Sequence, residues 1–170
     1  MALRSKTALF SAAATAVFGG TLVFAALAIS AQTAGPFEPL AGSWSGSGVF
    51  STSDGMRERV RCLAKYDPHD HGRSVKLDLR CASDSYKVEF NSSITQTGDR
   101  LAGTWFEATR RVGGNITGHA EGNQINVRAE GQTFTALLSV TTQGSRQTFS
   151  MESPGAWIPM FTIALNRTPR

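Results

Sequence analysis

The chain has 170 residues, of which 41% are hydrophobic and 18% charged, with a formal net charge of +4. That length suits one domain, and the balance is too apolar and too lightly charged for intrinsic disorder. The 17 glycines show no G-X-Y period, which excludes collagen, and two cysteines cannot staple a disulfide-dense miniature scaffold.

Residues 1–31 read as an address. Arg4 and Lys6 form a basic head, and no charge follows from Thr7 to Phe37, where Leu, Val, Phe and Ile sit among alanines. A basic head, an apolar body and small residues at the end describe a secretory signal peptide, with Ala26-Leu27-Ala28 and Ile29-Ser30-Ala31 as cleavage points. Left uncleaved, the same run is long enough to anchor the protein, since roughly 20 apolar residues span a bilayer. That run is the one expected membrane contact. Residues 32–170 keep 15 basic and 13 acidic side chains. Their slight excess lacks the concentrated basic stripe of a nucleic-acid binder. Residues 32–39 read as a linker and 40–170 as the folded domain.

From Trp44 onward, period-two alternation dominates. Val75, Leu77, Leu79 and Cys81 share one face, opposite Lys76, Asp78 and Arg80. Tyr86, Val88 and Phe90 alternate with Lys87 and Glu89, and Ile125, Val127 and Ala129 with Asn126 and Arg128. Phe134, Ala136, Leu138 and Val140 follow the same rule, as do Phe161, Ile163 and Leu165. Successive strand residues face opposite ways, so these are half-buried strands. Turn signals separate them at Ser53–Gly55, Asp67–Gly72, Thr97–Asp99, Gly113-Gly114, Gly122-Asn123, Gly131 and Gln143–Ser145. The expected fold is all-β: one antiparallel up-and-down barrel of about eight to ten strands, because closure removes exposed edges. Leu40-Ala41-Gly42-Ser43-Trp44 recurs as Leu101-Ala102-Gly103-Thr104-Trp105, 61 residues later. Five residues suit any strand where an indole turns inward, so no duplication is inferred.

Gly42-Ser43-Trp44 opens the first strand, and Arg167 ends the last in phase with Ile163 and Leu165. This pairing resembles the calycin pattern of lipocalins, avidins and fatty-acid-binding proteins. The resemblance implies a barrel in which Trp44 packs under Arg167 and closes one end, a cation–π contact. The chain departs from lipocalins in lacking a Thr-Asp-Tyr-type motif and a C-terminal helix. As a whole it also resembles exported proteins of proteobacteria and, in its signal, barrel and single disulfide, small exported inhibitors of proteases or lysozyme. No inhibitor motif carries over.

Cys62 and Cys81 fall on the inward phase of neighbouring strands and are expected to form a disulfide, which export favours. Asp67, His69, Asp70 and His71 are the densest set of candidate metal ligands. Asp-Pro before them and Gly72 after them make a polar turn the simpler reading, so no metal is expected. Glu58 is in phase with Val60, and Glu107 with Trp105, so both point inward. Buried carboxylates must be paired or hydrogen-bonded. They are expected to sit at a barrel mouth in water or to pair with an arginine such as Arg111 or Arg128; contact with a ligand and a glycosidase-like acid and base are further uses. Arg57, Arg59 and Arg61 make an outward stripe. Trp157 to Met160 form an apolar segment that reads as a loop folded over the barrel end, with a lid, a plug or an exposed patch for a partner as its other uses. The expectation is a non-enzymatic, periplasmic or secreted barrel without cofactor. It binds a small apolar or amphipathic ligand, or an envelope component, through Glu58, Glu107, Trp105, Phe90 and Phe134. The alternative is a filled barrel that binds protein as a hydrolase inhibitor does.

Overall fold

A computed structural model describes residues 34–132 and 135–169. The expected signal peptide and Phe134 lie outside the described residues. Ten strands follow one another around a closed antiparallel barrel: β1 (Gly42–Ser51), β2 (Arg57–His69), β3 (Ser74–Ala82), β4 (Lys87–Thr97), β5 (Arg100–Glu107), β6 (Val112–Glu121), β7 (Gln124–Gly131), β8 (Thr135–Gln143), β9 (Arg146–Glu152) and β10 (Met160–Arg167). Each pairs with its neighbours in sequence, and β10 closes the ring on β1 with Trp44 opposite Arg167. Among the described residues the helical content is a single 3-10 turn, Glu38–Leu40, and no helix is long and apolar enough to cross a membrane.

The alternation becomes burial. On β2, Val60, Cys62, Ala64 and Tyr66 are buried, while Arg59, Arg61, Leu63 and Lys65 are exposed. Most apolar residues of the strands fall on one phase, with Leu63, Phe106 and Leu137 left outside, so closing the sheet collects the rest into one core. Cys62 and Cys81 are directly opposed on β2 and β3 and joined by a disulfide.

Up-and-down winding gives the barrel two unlike ends. At one end, three of the connections are two-residue turns, Gly98-Asp99, Gly122-Asn123 and Gly144-Ser145. Each starts with a glycine at φ near +60° (63°, 58° and 59°), the first-position glycine preference of type II′ hairpins. At the other end the connections are longer, and the one between β9 and β10 runs through seven residues.

Two expectations need correction. Residues 35–39, read as part of a linker, are packed onto the barrel. The Gly35 amide donates to His71 O (2.8 Å) and the Phe37 amide to Gly72 O (3.0 Å), with Phe37 1% exposed. Apolar Phe37 and Leu40 are better buried than left in water. Gly113 and Gly114, read as a turn, lie inside β6. A Cβ on Gly114 would meet Glu130 O at 1.7 Å and Trp105 Nε1 at 3.0 Å. The glycine is there for close approach, which lets the Trp105 indole donate to Glu130 O (3.3 Å).

Candidate functional site

The end with short turns is sealed. Phe37 and Leu40 plug it, and Trp44, at 0% exposure, donates its indole N–H to Leu40 O (2.8 Å). The Arg167 guanidinium lies 4.3 Å from the Trp44 ring centroid and donates to the Pro39 and Ala41 carbonyls. It thereby ties the last strand to the segment before the first. Deeper in, the Tyr66 hydroxyl donates to Gln147 Oε1 (2.8 Å) and the Gln147 amide to Thr142 Oγ1 (3.1 Å). Burial pushes the Tyr66 phenol well above its ordinary range. The space left at this end is about 50 Å³.

The opposite end is open and hollow. A cavity of about 480 Å³ at its mouth is lined by Tyr86, Val88, Phe90, Trp105, Glu107, Arg110 and the Ala156–Ile158 segment, among others. A further space of about 110 Å³ continues inward between Phe50, Val60, Leu79, Phe149 and Phe161. The two share Tyr86, Val88, Phe90, Leu138, Met151 and Ile158. Phe90 stacks on Trp105 with ring centroids 5.9 Å apart. Tyr86 bridges Phe50 and Trp157, at 5.2 Å to each. The β9–β10 loop folds over this end: the Ser53 amide donates to Trp157 O and the Ser153 amide to Pro159 O, both at 2.9 Å. Trp157 stays 48% exposed and Met160 51%. The filled-core alternative therefore describes only the sealed half.

Glu107 is the buried charge of the mouth. It takes hydrogen bonds from the Thr109 hydroxyl and from the amides of Glu89 (3.0 Å), Thr109 (3.1 Å) and Arg110 (2.8 Å). It also meets Arg110 Nη1 at 3.2 Å. Burial pushes its carboxyl up, but these hydrogen bonds outweigh burial and hold it below the ordinary 4.5. Its partner is thus Arg110 and not Arg111 or Arg128: Arg128 pairs with Glu130, and Arg111 sits in the turn at φ 57°. Arg110 also lies over the Tyr86 ring at 4.3 Å. Glu58 keeps the inward phase of β2 but stands at the rim. Its carboxylate accepts from the Ser85 hydroxyl and amide, and the Ser83 and Ser85 hydroxyls draw its pKa down.

The remaining candidates separate. Phe90 and Trp105 line the cavity. Asp67 and His69 lie on β2 with Nε2 to Oδ2 at 3.4 Å, and Asp70 and His71 form the turn after it, at the sealed end. Among the described residues no group of three or more His, Cys, Asp or Glu converges. Arg57, Arg59 and Arg61 face outward. Sequence reading missed Arg110 and did not give Tyr86 a place at the site. The signals available were Arg110, three residues beyond a carboxylate, and Tyr86, in phase with Val88 and Phe90.

No family model matches the chain, and no curated protein matches it in sequence. Solved structures do. Rv2717c from M. tuberculosis superposes with a TM-score of 0.62 at 11% identity, over 78% of this chain and 94% of its own. The S-type phycobiliprotein lyase CPES from Guillardia theta gives 0.57 at 8% identity, over 79% and 91%. The shared property is the fold: a small antiparallel β-barrel.

The second match corrects the expectation of a non-enzymatic barrel. A chain of this fold carries the name of a lyase, so the barrel is no argument against catalysis. Glu58 and Glu107 are both drawn below the ordinary carboxylate range by their hydrogen bonds, the opposite direction from the raised pKa of a glycosidase's general acid.

Proposed function

We propose that the protein is an exported binding protein whose barrel takes a small apolar or amphipathic ligand through its open end. One observation carries this reading: a hollow of ligand size, walled by aromatic and aliphatic side chains, opposite a sealed end. The mouth cavity, about 480 Å³, is within the range of small-molecule sites, roughly 300–1,000 Å³. Tyr86, Trp157 and Phe90 offer flat apolar surface to the ligand body. Arg110, with a half-exposed guanidinium and donors beyond those given to Glu107, faces a polar head group at the rim. The Cys62–Cys81 disulfide supports export, since such bonds persist in oxidising compartments. We place the protein in the periplasm or outside the cell, residues 1–31 having directed it there.

Tryptophan fluorescence tests the reading, because Trp105 and Trp157 line the cavity and Trp44 is buried at the far end. Titration with fatty acids, sterols and haem is expected to change the emission saturably. A Trp105→Phe/Trp157→Phe double variant is expected to lose most of that change. A flat response of the wild type to every class would overturn the proposal.

A further inference from the structure

Among the described residues, one buried polar side-chain atom is left without a hydrogen-bond partner. Ser92 lies two residues beyond Phe90 on β4, on the same inward face. It is 8% exposed, and its hydroxyl oxygen has no hydrogen-bond partner among the described residues. Its cross-strand neighbours are Leu77 and Trp105. Other buried polar groups nearby are satisfied, as the Tyr66, Gln147 and Thr142 chain shows. An unpartnered buried hydroxyl costs stability, and alanine would fill the place without that cost.

The position of Ser92 gives the cost a use. It lines the innermost space of about 50 Å³, which shares Phe90, Leu138 and Phe149 with the space of about 110 Å³ above it. The latter opens in turn to the mouth. A ligand entering past Tyr86 and Trp157 therefore has its leading tip directed towards Ser92.

We propose that Ser92 is the inner anchor of the ligand site. The ligand is then an extended amphipathic molecule with two polar ends: a head at the mouth beside Arg110, and a hydroxyl or carbonyl oxygen at its buried tip that hydrogen-bonds Ser92. This deepens the ligand-binding reading and rests on it. Ser92 lies four residue steps along β4 from Val88 at the mouth, about 13 Å of strand and about 10 Å along the axis of a tilted barrel. A chain of about eight to ten carbons spans that distance.

Calorimetric titration of two neutral probes, 1-decanol and 1,10-decanediol, into the wild type and Ser92→Ala tests the assignment. The probes differ only in the second hydroxyl. Decanol is expected to bind both proteins alike. The affinity ratio of diol to decanol is expected to fall about tenfold in Ser92→Ala, the loss of one buried hydrogen bond. Ser92→Ala should unfold at a denaturant concentration no lower than that of the wild type. Decanol binding with an unchanged ratio would overturn the role of Ser92 and leave the pocket standing. Failure of both probes to bind the wild type would overturn the pocket reading and this inference together.

Discussion

The two ends of the barrel are made from the same ten strands and differ in what fills them. At the sealed end, Trp44, Phe37 and Leu40 are buried, and Arg167 ties them to the last strand. At the open end, Trp157 and Tyr86 lie over a hollow, with Glu107 and Arg110 at the rim. The repeated pentapeptide shows the contrast within a few residues. Trp44 comes third on β1, inside the plug, while Trp105 comes sixth on β5, high enough to line the mouth cavity. Both indoles donate to a backbone carbonyl, of Leu40 and of Glu130. The same local sequence serves stability at one height and a binding surface at another.

The sharpest way to break this comparison is to truncate one tryptophan at each end. Trp44→Ala is expected to cost about 3–5 kcal/mol, because a fully buried indole leaves a cavity. Trp157→Ala is expected to cost less than about 1 kcal/mol, being 48% exposed, and to act on ligand affinity instead. Urea unfolding of both variants measures the difference, and equal losses would erase the distinction between the ends.

The disulfide comes next. It closes a sequence separation of 19 residues, and Cys81 lines the inner hollow. The Cys62→Ala/Cys81→Ala variant is expected to lose about 3 kcal/mol on the chain-entropy account. Hydrogen exchange should rise more on the open-end halves of β2 and β3 than around Trp44, since less packing backs the wall there. Uniform exchange along those strands would argue against a softer open half.

The smallest effect concerns charge at the mouth. The folded Glu107 carboxyl titrates below its ordinary 4.5, so the stability it contributes is fully present above that pH. It is lost as pH falls through the folded value. Glu107→Gln is expected to cost about 1 kcal/mol at neutral pH and to flatten the fall in the urea midpoint below pH 4.5. An unchanged acid limb would assign that fall to other carboxylates.

Much of the fold is written in strand periodicity. Alternation at Val75–Cys81, Ile125–Ala129 and Phe161–Leu165 fixed both the element type and the buried face, because a strand has only two faces. Gly-x turns at 98, 122 and 144 marked their boundaries for the same local reason. The inward phase of Cys62 and Cys81, and of Glu58 and Glu107, was legible too. Partners were not. Arg110 rather than Arg111 or Arg128 meets Glu107, because a turn sends neighbouring side chains different ways.

The sequence by itself determined the chemistry of each strand face and hence the class of fold, since alternation is a local property of an extended chain. Tertiary structure decided which end is plugged and which is hollow. That depends on how far up the barrel each inward side chain sits, and on where Gly35–Leu40 and Ser153–Pro159 fold back. Height in a closed sheet is set by the register of all ten strands together, and no single segment encodes it.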